Sequence, residues 1–413
     1  MIAISPVINL NLRALLIAQL VRTVRAVSFT QLSGRIGHLT EAQTTAFDEF
    51  KQRLQDGGYY TPAEDGKEAS HTEATIVRFL RARKFQVDGA YNQFVASEKW
   101  RKSEKVDDLY RNFNVDEFRT GQLVYSQWTG RRTIAGQPLV MYRLSELSKE
   151  RINEYSKKAD RVAPRLIALS ETLPEFLVPF CNALPREHLE VPVDSVTSII
   201  DISNVSLSKF WSLRTHLQMA TQMQTANYPE LLGHMYLVGA PGFFATVWGW
   251  IQKGFDQGTV EKMHILTEAE VFPTLSRYIL PENIPKRYGG TLDFEYEDRP
   301  NLDAEAIALL ELKDGEKLPR APLRYREKEG LTILGTGRPA GEGEGMNGRG
   351  ARKGAKYVEE EGKQNEGNGA DEKLEANGVK ENGSAAPPAL EAAKEVPGAP
   401  IKDLAATLEG TTL

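Results

Sequence analysis

Apolar residues recur at helical spacing through the N-terminal part of the chain. The spacing predicts helices over Thr40–Gln55, Ser70–Lys84 and Val87–Lys102. Thr40, followed closely by an acidic residue, is predicted to cap the first of them. The second carries an apolar stripe on one face and basic residues on the others. These three segments predict an all-helical lead domain.

Beyond residue 138 short apolar runs alternate with longer helical patterns. The runs predicted as strands are Leu139–Tyr142, Ser195–Ile202, Met235–Val238 and Met263–Leu266. The helices predicted between them cover Glu154–Phe180, Leu207–Asn227 and an aromatic segment within 243–255. Strands that alternate with helices of this length indicate an α/β sheet with parallel pairs. The expected fold is therefore an α/β domain behind a helical one.

The segment from Asn227 to Leu266 has the most unusual composition of the chain. It opens with the polar run Asn227–Glu230 and closes with Thr259–Lys262, just before the last strand. Between them lie Phe243, Phe244, Trp248, Trp250 and Phe255. An apolar, aromatic-rich helix between a carboxylate and a hydroxyl–ammonium pair suits a ligand with an apolar body and an anionic head. We interpret the segment as part of a lipid site.

Composition narrows the class of protein. The 413 residues are 41% hydrophobic, enough for one large domain or two ordinary ones. A formal charge of −5 and the lack of a long basic run argue against nucleic acid as a partner. The single cysteine, Cys181, rules out an internal disulfide framework and is interpreted as a packed side chain. No apolar run in the sequence approaches the length of a membrane span.

The two ends of the chain differ from its middle. Residues 1–37 carry arginines and no acidic residue, which resembles a mitochondrial transit peptide; a disordered start is the alternative. Residues 335–413 are rich in glycine, glutamate and lysine and hold one aromatic residue, Tyr357. Such a segment buries too little apolar surface to offset its ordering entropy, so a disordered tail is predicted.

The usual signatures of catalysis are missing from the sequence. No Gly-rich nucleotide loop, no G-x-S-x-G elbow and no zinc-type His or Cys spacing occurs. Asp201 ends a predicted strand, but no His or Lys lies near it in the sequence, so we interpret it as structural. We expect neither enzymatic activity nor a metal or cofactor.

A set of motifs, in this order and at about this spacing, resembles the CRAL-TRIO family. They are Arg78–Phe85, Trp100–Arg101, Gly136–Pro138, Ile199–Asp201, Asn227–Glu230, Thr259–Lys262 and Pro285–Gly290. Within that family they look most like the fungal phosphatidylinositol/phosphatidylcholine transfer proteins, over about residues 38–295. The resemblance implies a helical N-terminal domain over 38–112. It also implies a lipid-binding α/β domain over 113–295, with a mixed, largely parallel sheet and a mobile gate helix. Residues 296–334 would form a C-terminal extension.

The resemblance also implies which residues bind the ligand. The phosphoinositol head group would contact Arg83, Glu230, Thr259 and Lys262. Ser198 would add to the site, and Lys84 would either add to its positive field or pack outward. The gate helix would carry Phe243, Phe244, Val247, Trp248, Ile251 and Phe255.

The second lipid site of the family is poorly matched. Relatives hold the choline lipid with two tyrosines and two hydroxyl residues, and the corresponding positions here are Thr129, Val140, Val196 and Ser198. A shift of one residue would bring in Trp128 or Met141. We therefore hypothesise that the protein binds phosphatidylinositol with weak or absent phosphatidylcholine exchange, or with a different counter-ligand.

The function that follows is that of a non-enzymatic carrier. It would exchange phosphatidylinositol between membranes through an internal hydrophobic cavity and present it to lipid kinases. The alternative is a membrane-associated regulatory module that holds a lipid structurally and recruits partners. The expected partners are phospholipids and membrane surfaces. A monomer in the cytoplasm, peripheral on Golgi or endomembranes, is expected, with mitochondrial targeting by residues 1–37 as the alternative.

Overall fold

The computed structural model describes residues 32–65, 67–156, 159–252 and 257–337, together with the backbone of 355–357. Most of the predicted leader and most of the predicted tail lie outside these residues, as does Phe255. All described residues belong to one contact unit, Met1–Val358; the second unit, Glu359–Leu413, lies outside them.

The N-terminal part of the described chain is helical, as the sequence predicts. Its helices are α1 (Glu41–Asp56), α2 (Glu73–Ala82), α3 (Val87–Ser103), α4 (Val106–Arg111) and α5 (Val115–Gln122). α1 begins with a capping box, because the Thr40 hydroxyl accepts from Gln43 N and the Gln43 side chain accepts from Thr40 N. The first three helices share a core that includes Phe50, Leu80 and Phe94.

Helix α2 is shorter than the periodicity predicts. Thr72 caps its start by accepting from Thr75 N at 3.2 Å. The helix ends at Arg83, and the next two residues, Lys84 and Phe85, have φ angles of 49° and 60°. Left-handed residues cannot continue a right-handed helix, so the basic run at the end of the motif lies in a turn.

The main sheet has five strands in the order β1-β2-β3-β4-β5. They are β1 (Gln127–Arg132), β2 (Pro138–Arg143), β3 (Val196–Asp201), β4 (Leu232–Val238) and β5 (Met263–Leu266). β1 pairs antiparallel with β2, and the other pairs are parallel. The predicted fold class, a helical region followed by a mixed and largely parallel α/β sheet, is confirmed.

The strand register divides the sheet into two faces. Because side chains alternate along a strand, partners in register share a face. The front face carries Val140, Ser198 and Met235, followed by Tyr142, Ile200 and Leu237. The back face carries Met141, Ile199 and Tyr236. The segment after β5 covers the back face, where the Tyr278 ring lies 6.1 Å from that of Tyr236 and the Tyr288 hydroxyl donates to Asp201.

The helix predicted over Glu154–Phe180 is not continuous. The structure has α6 (Lys149–Ser156), α7 (Ala159–Thr172), a π-turn at Leu173–Leu177 and α8 (Val178–Ala183). Pro174 lies in the π-turn and Pro179 in α8. Proline has no N–H for the helical ladder and its ring displaces the carbonyl four residues earlier, which explains the change of helix type.

The remaining elements are α9 (Leu207–Asn227), α10 (Phe244–Ile251), α11 (Gln257–Glu261), α12 (Glu268–Leu275), α13 (Ala304–Leu309), β6 (Leu323–Arg326), β7 (Gly330–Ile333) and β8 (Ala355–Tyr357). Two of them, α9 and α10, were predicted from the sequence, and the others were not. The chain leaves β4 through Gly239, whose φ is +67°. A Cβ atom added at this residue would lie only 2.6 Å from Ser203. Only glycine fits this sharp turn into α10.

The C-terminal extension packs against the α/β domain. β6 and β7 form an antiparallel hairpin, and β8, within the predicted tail, pairs parallel with β7. The Tyr325 ring contacts Phe180 edge to face at 5.4 Å. Gly335 N and Thr336 N donate to Arg111 O and Phe113 O, so ordered contacts continue past residue 334.

Candidate functional site

A charged cluster forms where β4 and β5 begin. Glu230 precedes β4 and Lys262 precedes β5, and parallel strands bring the two starts to one edge of the sheet. The Lys262 ammonium lies 2.8 Å from Glu230 Oε2. Arg81 of α2 donates from Nε to the same oxygen at 3.3 Å and from Nη2 to the Glu230 carbonyl at 3.4 Å. The cluster therefore joins the helical region to the sheet edge.

A second carboxylate continues the cluster. Asp194, whose side chain is 2% exposed, forms ion pairs with both Arg81 and Arg35. Arg35 also donates to Ser195 Oγ at 3.1 Å. Burial lowers the pKa of Arg35 to about 9, and the neighbouring Arg81 lowers it further while Glu230 opposes the shift. Three cations and two carboxylates leave the cluster with one net positive charge.

Partial exposure makes part of this cluster accessible. The Glu230 and Lys262 side chains are 22% and 25% exposed, whereas Arg81 is 10% exposed. Ion pairs at such positions are partly solvated, so a ligand oxygen can replace one partner without leaving a charge unpaired. Glu230 and Lys262 are thus suited to exchanging partners, and Arg81 is suited to holding Glu230 in place.

The arginine of the basic motif that contacts Glu230 is not the one predicted to bind the head group. Arg83 is exposed, and its guanidinium donates to the Ala82 carbonyl at 3.3 Å. Lys84, in the following turn, is also exposed. Arg81 is the member of the motif that contacts Glu230. Residues two apart point about 200° apart around a helix, so Arg81 and Arg83 cannot share a face.

The helical period contained a signal for Arg81 that motif matching missed. Arg78 and Arg81, three residues apart, lie on neighbouring turns of one face, beside the buried Val77 and Leu80. Arg78 is itself buried. A basic pair placed against the apolar stripe of a helix points into the protein, whereas Arg83 follows the end of the stripe. Ligand contacts of Arg83 and Lys84 stay a prediction.

Thr259 and Lys262 are held close by a short turn of chain. Thr259 lies in α11, and Lys262 N donates to the Thr259 carbonyl at 3.2 Å. Lys262 O in turn accepts from Met235 N at 2.8 Å, which ties this turn to β4. The predicted pair is therefore anchored at the same sheet edge as Glu230.

The positions corresponding to the choline site are tightly packed. Thr129 is fully buried, and its hydroxyl donates to the Leu139 carbonyl at 3.0 Å. Val140 and Val196 lie in an apolar cluster with Phe176 and Phe180, which the hairpin of the C-terminal extension completes. Ser198 is buried on the front face in register with Val140.

Helix α10 is the segment predicted as the gate. Phe243 lies in the turn before it and is half-buried. Phe244 is buried and stacks on Trp248 at 6.3 Å, and Val247 and Trp248 pack against the main core. Ala245 and Thr246 are exposed on the other side. Ile251 is the last residue of the helix. The helix thus rests its apolar side on the domain.

A buried group of hydrogen bonds, which the sequence did not predict, holds the chain two residues before Glu230. The Glu171 carboxylate accepts from both terminal nitrogens of Arg101, at 2.8 and 3.0 Å, and from the Tyr228 hydroxyl at 2.6 Å. Trp100 packs edge to face on Tyr228 at 6.0 Å. The motifs Trp100–Arg101 and Asn227–Glu230 therefore meet in space. We call Arg101, Glu171 and Tyr228 the clamp.

Metal sites and membrane-spanning helices are both absent from the residues that the structure describes. Among them, no group of His, Cys, Asp or Glu side chains has the arrangement of a metal site. No helix in the described ranges has both the length and the apolar character needed to cross a bilayer.

Comparison with known proteins agrees with this architecture. The family model described as CRAL/TRIO domain matches residues 124–290, and the one described as CRAL/TRIO, N-terminal domain matches residues 46–96. Together these matches span just over half of the chain. The chain belongs to the CRAL-TRIO family.

Individual proteins similar to this chain include two sequence relatives and one solved structure. The chain is 29% identical over 257 residues to the Sec14 cytosolic factor of Schizosaccharomyces pombe, covering 62% of this chain and 85% of that protein. It is 27% identical over 254 residues to the phosphatidylinositol/phosphatidylcholine transfer protein SFH9 of Arabidopsis thaliana, covering 60% and 43%. The crystal structure of Sfh5 superposes with a TM-score of 0.49 at 17% identity, covering 66% of this chain and 96% of Sfh5.

Proposed function

We propose that this protein is a phosphatidylinositol-binding lipid transfer protein. It would take a phospholipid from one membrane into an internal hydrophobic cavity, beneath α10, and release it into another. The observation that carries the proposal is the contact of Lys262 and Arg81 with Glu230 at one edge of the sheet. Relatives that include a phosphatidylinositol/phosphatidylcholine transfer protein give further support.

The charges of the cluster suit a phosphoinositol head group. A lysine ammonium has three donors, so Lys262 can keep one on Glu230 and offer the others to a phosphate. The free oxygen of Glu230 can accept from an inositol hydroxyl, and the Thr259 hydroxyl can add a further bond. One net positive charge in the cluster matches the single negative charge of a phosphodiester. Arg83, Lys84 and Ser198 are the remaining proposed contacts.

The acyl chains require an apolar enclosure. Exposing a methylene to water costs roughly 0.8 kcal/mol, so the thirty or so methylenes of a diacyl phospholipid oppose transfer by about 20 kcal/mol. A carrier must replace most of the contacts that the bilayer provides. An aromatic helix such as α10 can cover the chains in solution and touch the membrane interface when it opens.

The second ligand is proposed to differ from phosphatidylcholine. The hydroxyl of Thr129 already serves a backbone carbonyl, and Val140 and Val196 present no polar atom from their side chains. A phosphocholine group placed there would lose its hydration without compensation. We therefore propose weak or absent phosphatidylcholine exchange.

The cellular setting is part of the same proposal. A monomeric protein in the cytosol, binding Golgi or endomembranes peripherally, would deliver phosphatidylinositol to lipid kinases. Membership of the family and the similarity to the Sec14 cytosolic factor of Schizosaccharomyces pombe support this setting.

Vesicle transfer with Lys262→Ala tests the proposal. The variant should move phosphatidylinositol between vesicles at least ten times more slowly than the wild type, because the phosphate loses its charged partner. Lys286→Ala is the matched control, since Lys286 forms an exposed 2.8 Å ion pair with Asp293 away from the cluster. It should transfer at the wild-type rate.

Two results would contradict the carrier function. A wild-type protein that transfers no phosphatidylinositol between vesicles would contradict the carrier function. Equal rates of transfer by folded Lys262→Ala and Lys286→Ala would contradict the proposed head-group site. That result would favour a module that holds lipid passively.

A further inference from the structure

Three tyrosines, two buried and one partly buried, gather inside the α/β domain, away from the charged cluster. They are Tyr125, Tyr142 and Tyr155, from the loop before β1, from β2 and from α6. The rings of Tyr125 and Tyr142 lie 6.2 Å apart. The ring of Tyr155 contacts His216 of α9 edge to face at 5.3 Å. Burial raises the pKa of each phenol, and Tyr125 adds to the rise at Tyr142 and Tyr155.

Further polar side chains surround these rings. Ser170 of α7 accepts from the Gln224 side chain of α9 at 2.7 Å, and both side chains interact with the phenol of Tyr125. Ser170 is buried. Polar groups from four separate elements therefore converge in an interior that is otherwise apolar.

The tyrosines lie on the side of the sheet that carries the choline-site positions. Tyr142 is in register with Ile200 and Leu237, so it projects from the front face. Val140, two residues earlier on β2, projects from the same face about 7 Å away along the strand. The polar group missing at Val140 is thus present one step further along β2.

One hydroxyl of the set has no partner among the residues that the structure describes. The Tyr155 hydroxyl is buried and forms no hydrogen bond with any side chain or backbone group that the structure describes. A buried hydroxyl without a partner lowers the stability of a protein, so such groups are uncommon unless a ligand satisfies them. Burial raises the pKa of Tyr142 and Tyr155, which keeps both hydroxyls protonated and able to donate.

The basic groups described beside Tyr155 are paired or neutral. Arg165 lies over the Tyr155 ring at 5.4 Å, but it is paired with Glu117 at 2.8 Å. Burial lowers the pKa of His216, so its ring is neutral near pH 7. Neither group offers an unpaired positive charge to a buried phosphate, which favours an uncharged ligand group.

We propose that Tyr125, Tyr142 and Tyr155 form the polar end of a second lipid subsite, which takes an uncharged lipid through a hydroxyl or carbonyl group. The proposal rests on the proposed transfer function and names the counter-ligand that would replace phosphatidylcholine. The acceptor atom of the lipid bonds the Tyr155 hydroxyl, and its hydrocarbon lies along the front face beside Ile200 and Leu237.

Lipid competition with single hydroxyl deletions tests the subsite. The full chain is incubated with phosphatidylcholine vesicles that carry equal small fractions of phosphatidylinositol and either dioleoylglycerol or ergosterol. Bound lipid is identified by native mass spectrometry, and transfer of each lipid to acceptor vesicles is timed. The wild type should carry one molecule of the uncharged lipid in place of phosphatidylinositol. Tyr155→Phe should reduce that fraction at least tenfold and leave phosphatidylinositol transfer unchanged.

Tyr236→Phe provides a matched control. The Tyr236 hydroxyl is also buried without a partner in the described structure, but Tyr236 lies on the back face. Both substitutions should leave the melting temperature unchanged or raise it, since each removes an unsatisfied hydroxyl. Only Tyr155→Phe should lose the uncharged lipid.

The outcomes separate the subsite from the transfer function. Bound phosphatidylcholine in place of the uncharged lipids, or equal uptake by Tyr155→Phe and Tyr236→Phe, would overturn the subsite while phosphatidylinositol transfer persists. A wild type that moves no phosphatidylinositol would overturn the proposed function instead.

Discussion

Glu230 occupies a backbone conformation that few residues other than glycine adopt. Its φ is +59°, and a residue held in this region costs roughly 1–3 kcal/mol. The surroundings keep it there: Arg81 bonds its carbonyl, and Val196 N donates to the carbonyl of the next residue, Leu231, at 2.8 Å. The strain directs the Glu230 carboxylate towards Lys262. Backbone geometry at this residue thus contributes directly to the site.

The two arginines of the basic motif should respond differently to substitution. Arg81→Gln should lower the free energy of unfolding by about 3–5 kcal/mol, because it leaves the buried Asp194 and the carboxylate of Glu230 short of a partner. Arg83→Gln should change it by less than about 0.5 kcal/mol, because Arg83 is exposed. Urea unfolding measures both.

Transfer assays complete the comparison of the two arginines. Arg83→Gln should slow phosphatidylinositol transfer about tenfold if its guanidinium reaches the phosphate. Wild-type transfer by folded Arg83→Gln would assign the head-group arginine to position 81 instead.

The histidine pair on the back face makes stability depend on pH. His234 Nδ1 and His264 Nε2 lie 3.3 Å apart. Burial, followed by the charges of His264, Arg35 and Lys262, lowers the pKa of His234 to about 4, and burial lowers the pKa of His264. The His234 ring is therefore neutral in the folded protein at pH 6, while the unfolded chain begins to bind protons near pH 6.5.

The sign of the effect follows from these lowered pKa values. The contribution of His234 to stability is fully present above pH 6.5 and is lost as the pH falls towards about 4, at up to about 1.4 kcal/mol per pH unit. The urea midpoint of unfolding should decrease as the pH is lowered from 7 to 5. His234→Gln should make the midpoint depend less steeply on pH. His188→Gln, which removes a histidine from the loop before β3, should leave that dependence unchanged; an equal dependence in both variants would contradict the assignment.

At the scale of elements, α10 is a short helix that depends on its packing. Eight residues are too few for a helix to persist in water by itself. Its apolar side, with Phe244 and Trp248, rests on the core, and its other side faces solvent. An element held in this manner can leave the surface more easily than a strand of the sheet.

Opposite substitutions test whether α10 unwinds when it opens. A Cβ added at Gly249 would meet no atom within 4 Å, so Gly249→Ala should stabilise the helix by roughly 0.5–1 kcal/mol. Ala245→Gly, on the exposed side, should destabilise it by a similar amount. Phosphatidylinositol transfer should slow two- to fivefold in the first and accelerate in the second. Identical rates would indicate that the helix moves as a rigid body.

The hairpin of the C-terminal extension shows how an element outside the family match shapes the interior. β6 and β7 lie beyond residue 290, where the family match ends. Leu323, Tyr325 and Leu331 nevertheless join the cluster that contains Val140 and Val196. Arg326 fixes the hairpin through both carboxylate oxygens of Glu175, at 2.9 and 3.0 Å. The extension therefore contributes to the packing of the α/β domain.

At the scale of the whole molecule, the clamp connects the helical region to the head-group site. Arg101 lies on α3, Glu171 on α7 and Tyr228 two residues before Glu230. Gln93 and Ser97, also on α3, donate to the carbonyls of Thr225, Ala226 and Asn227 at the end of α9. One helix thus fixes the entry to the turn that presents Glu230.

Removing one hydroxyl from the clamp tests this connection. Tyr228→Phe should cost about 1–3 kcal/mol of stability and slow phosphatidylinositol transfer several-fold, because the turn before Glu230 is less well held. Tyr110→Phe is the control: the Tyr110 hydroxyl is also buried and donates to Leu323 O at 2.8 Å, far along the chain from Glu230. It should lower stability similarly and leave transfer intact. Equal transfer by both variants would show the clamp to be purely structural.

The periodicity of the sequence predicted the elements whose apolar residues repeat clearly. The first and third helices, the parallel strands and α9 lie where spacing placed them, because a buried face imposes a repeat of 3.6 or 2 residues. The helix over Glu154–Phe180 was predicted as continuous, and its division into α6, α7, a π-turn and α8 was missed. The hydrophobic spacing does not reveal the effect of Pro174. This residue changes the hydrogen bonds of the helix without changing the pattern of apolar positions.

By itself the sequence determined the fold class and the family, and it predicted Glu230 and Lys262 as site residues, because these follow from local spacing and from motif order. Only the tertiary structure decided that Arg81 contacts Glu230, that Glu171 joins two motifs, and that the C-terminal hairpin fills the region around Val140. Such contacts join residues tens to hundreds of positions apart. Their geometry depends on where helices end and how strands register, which no local pattern specifies.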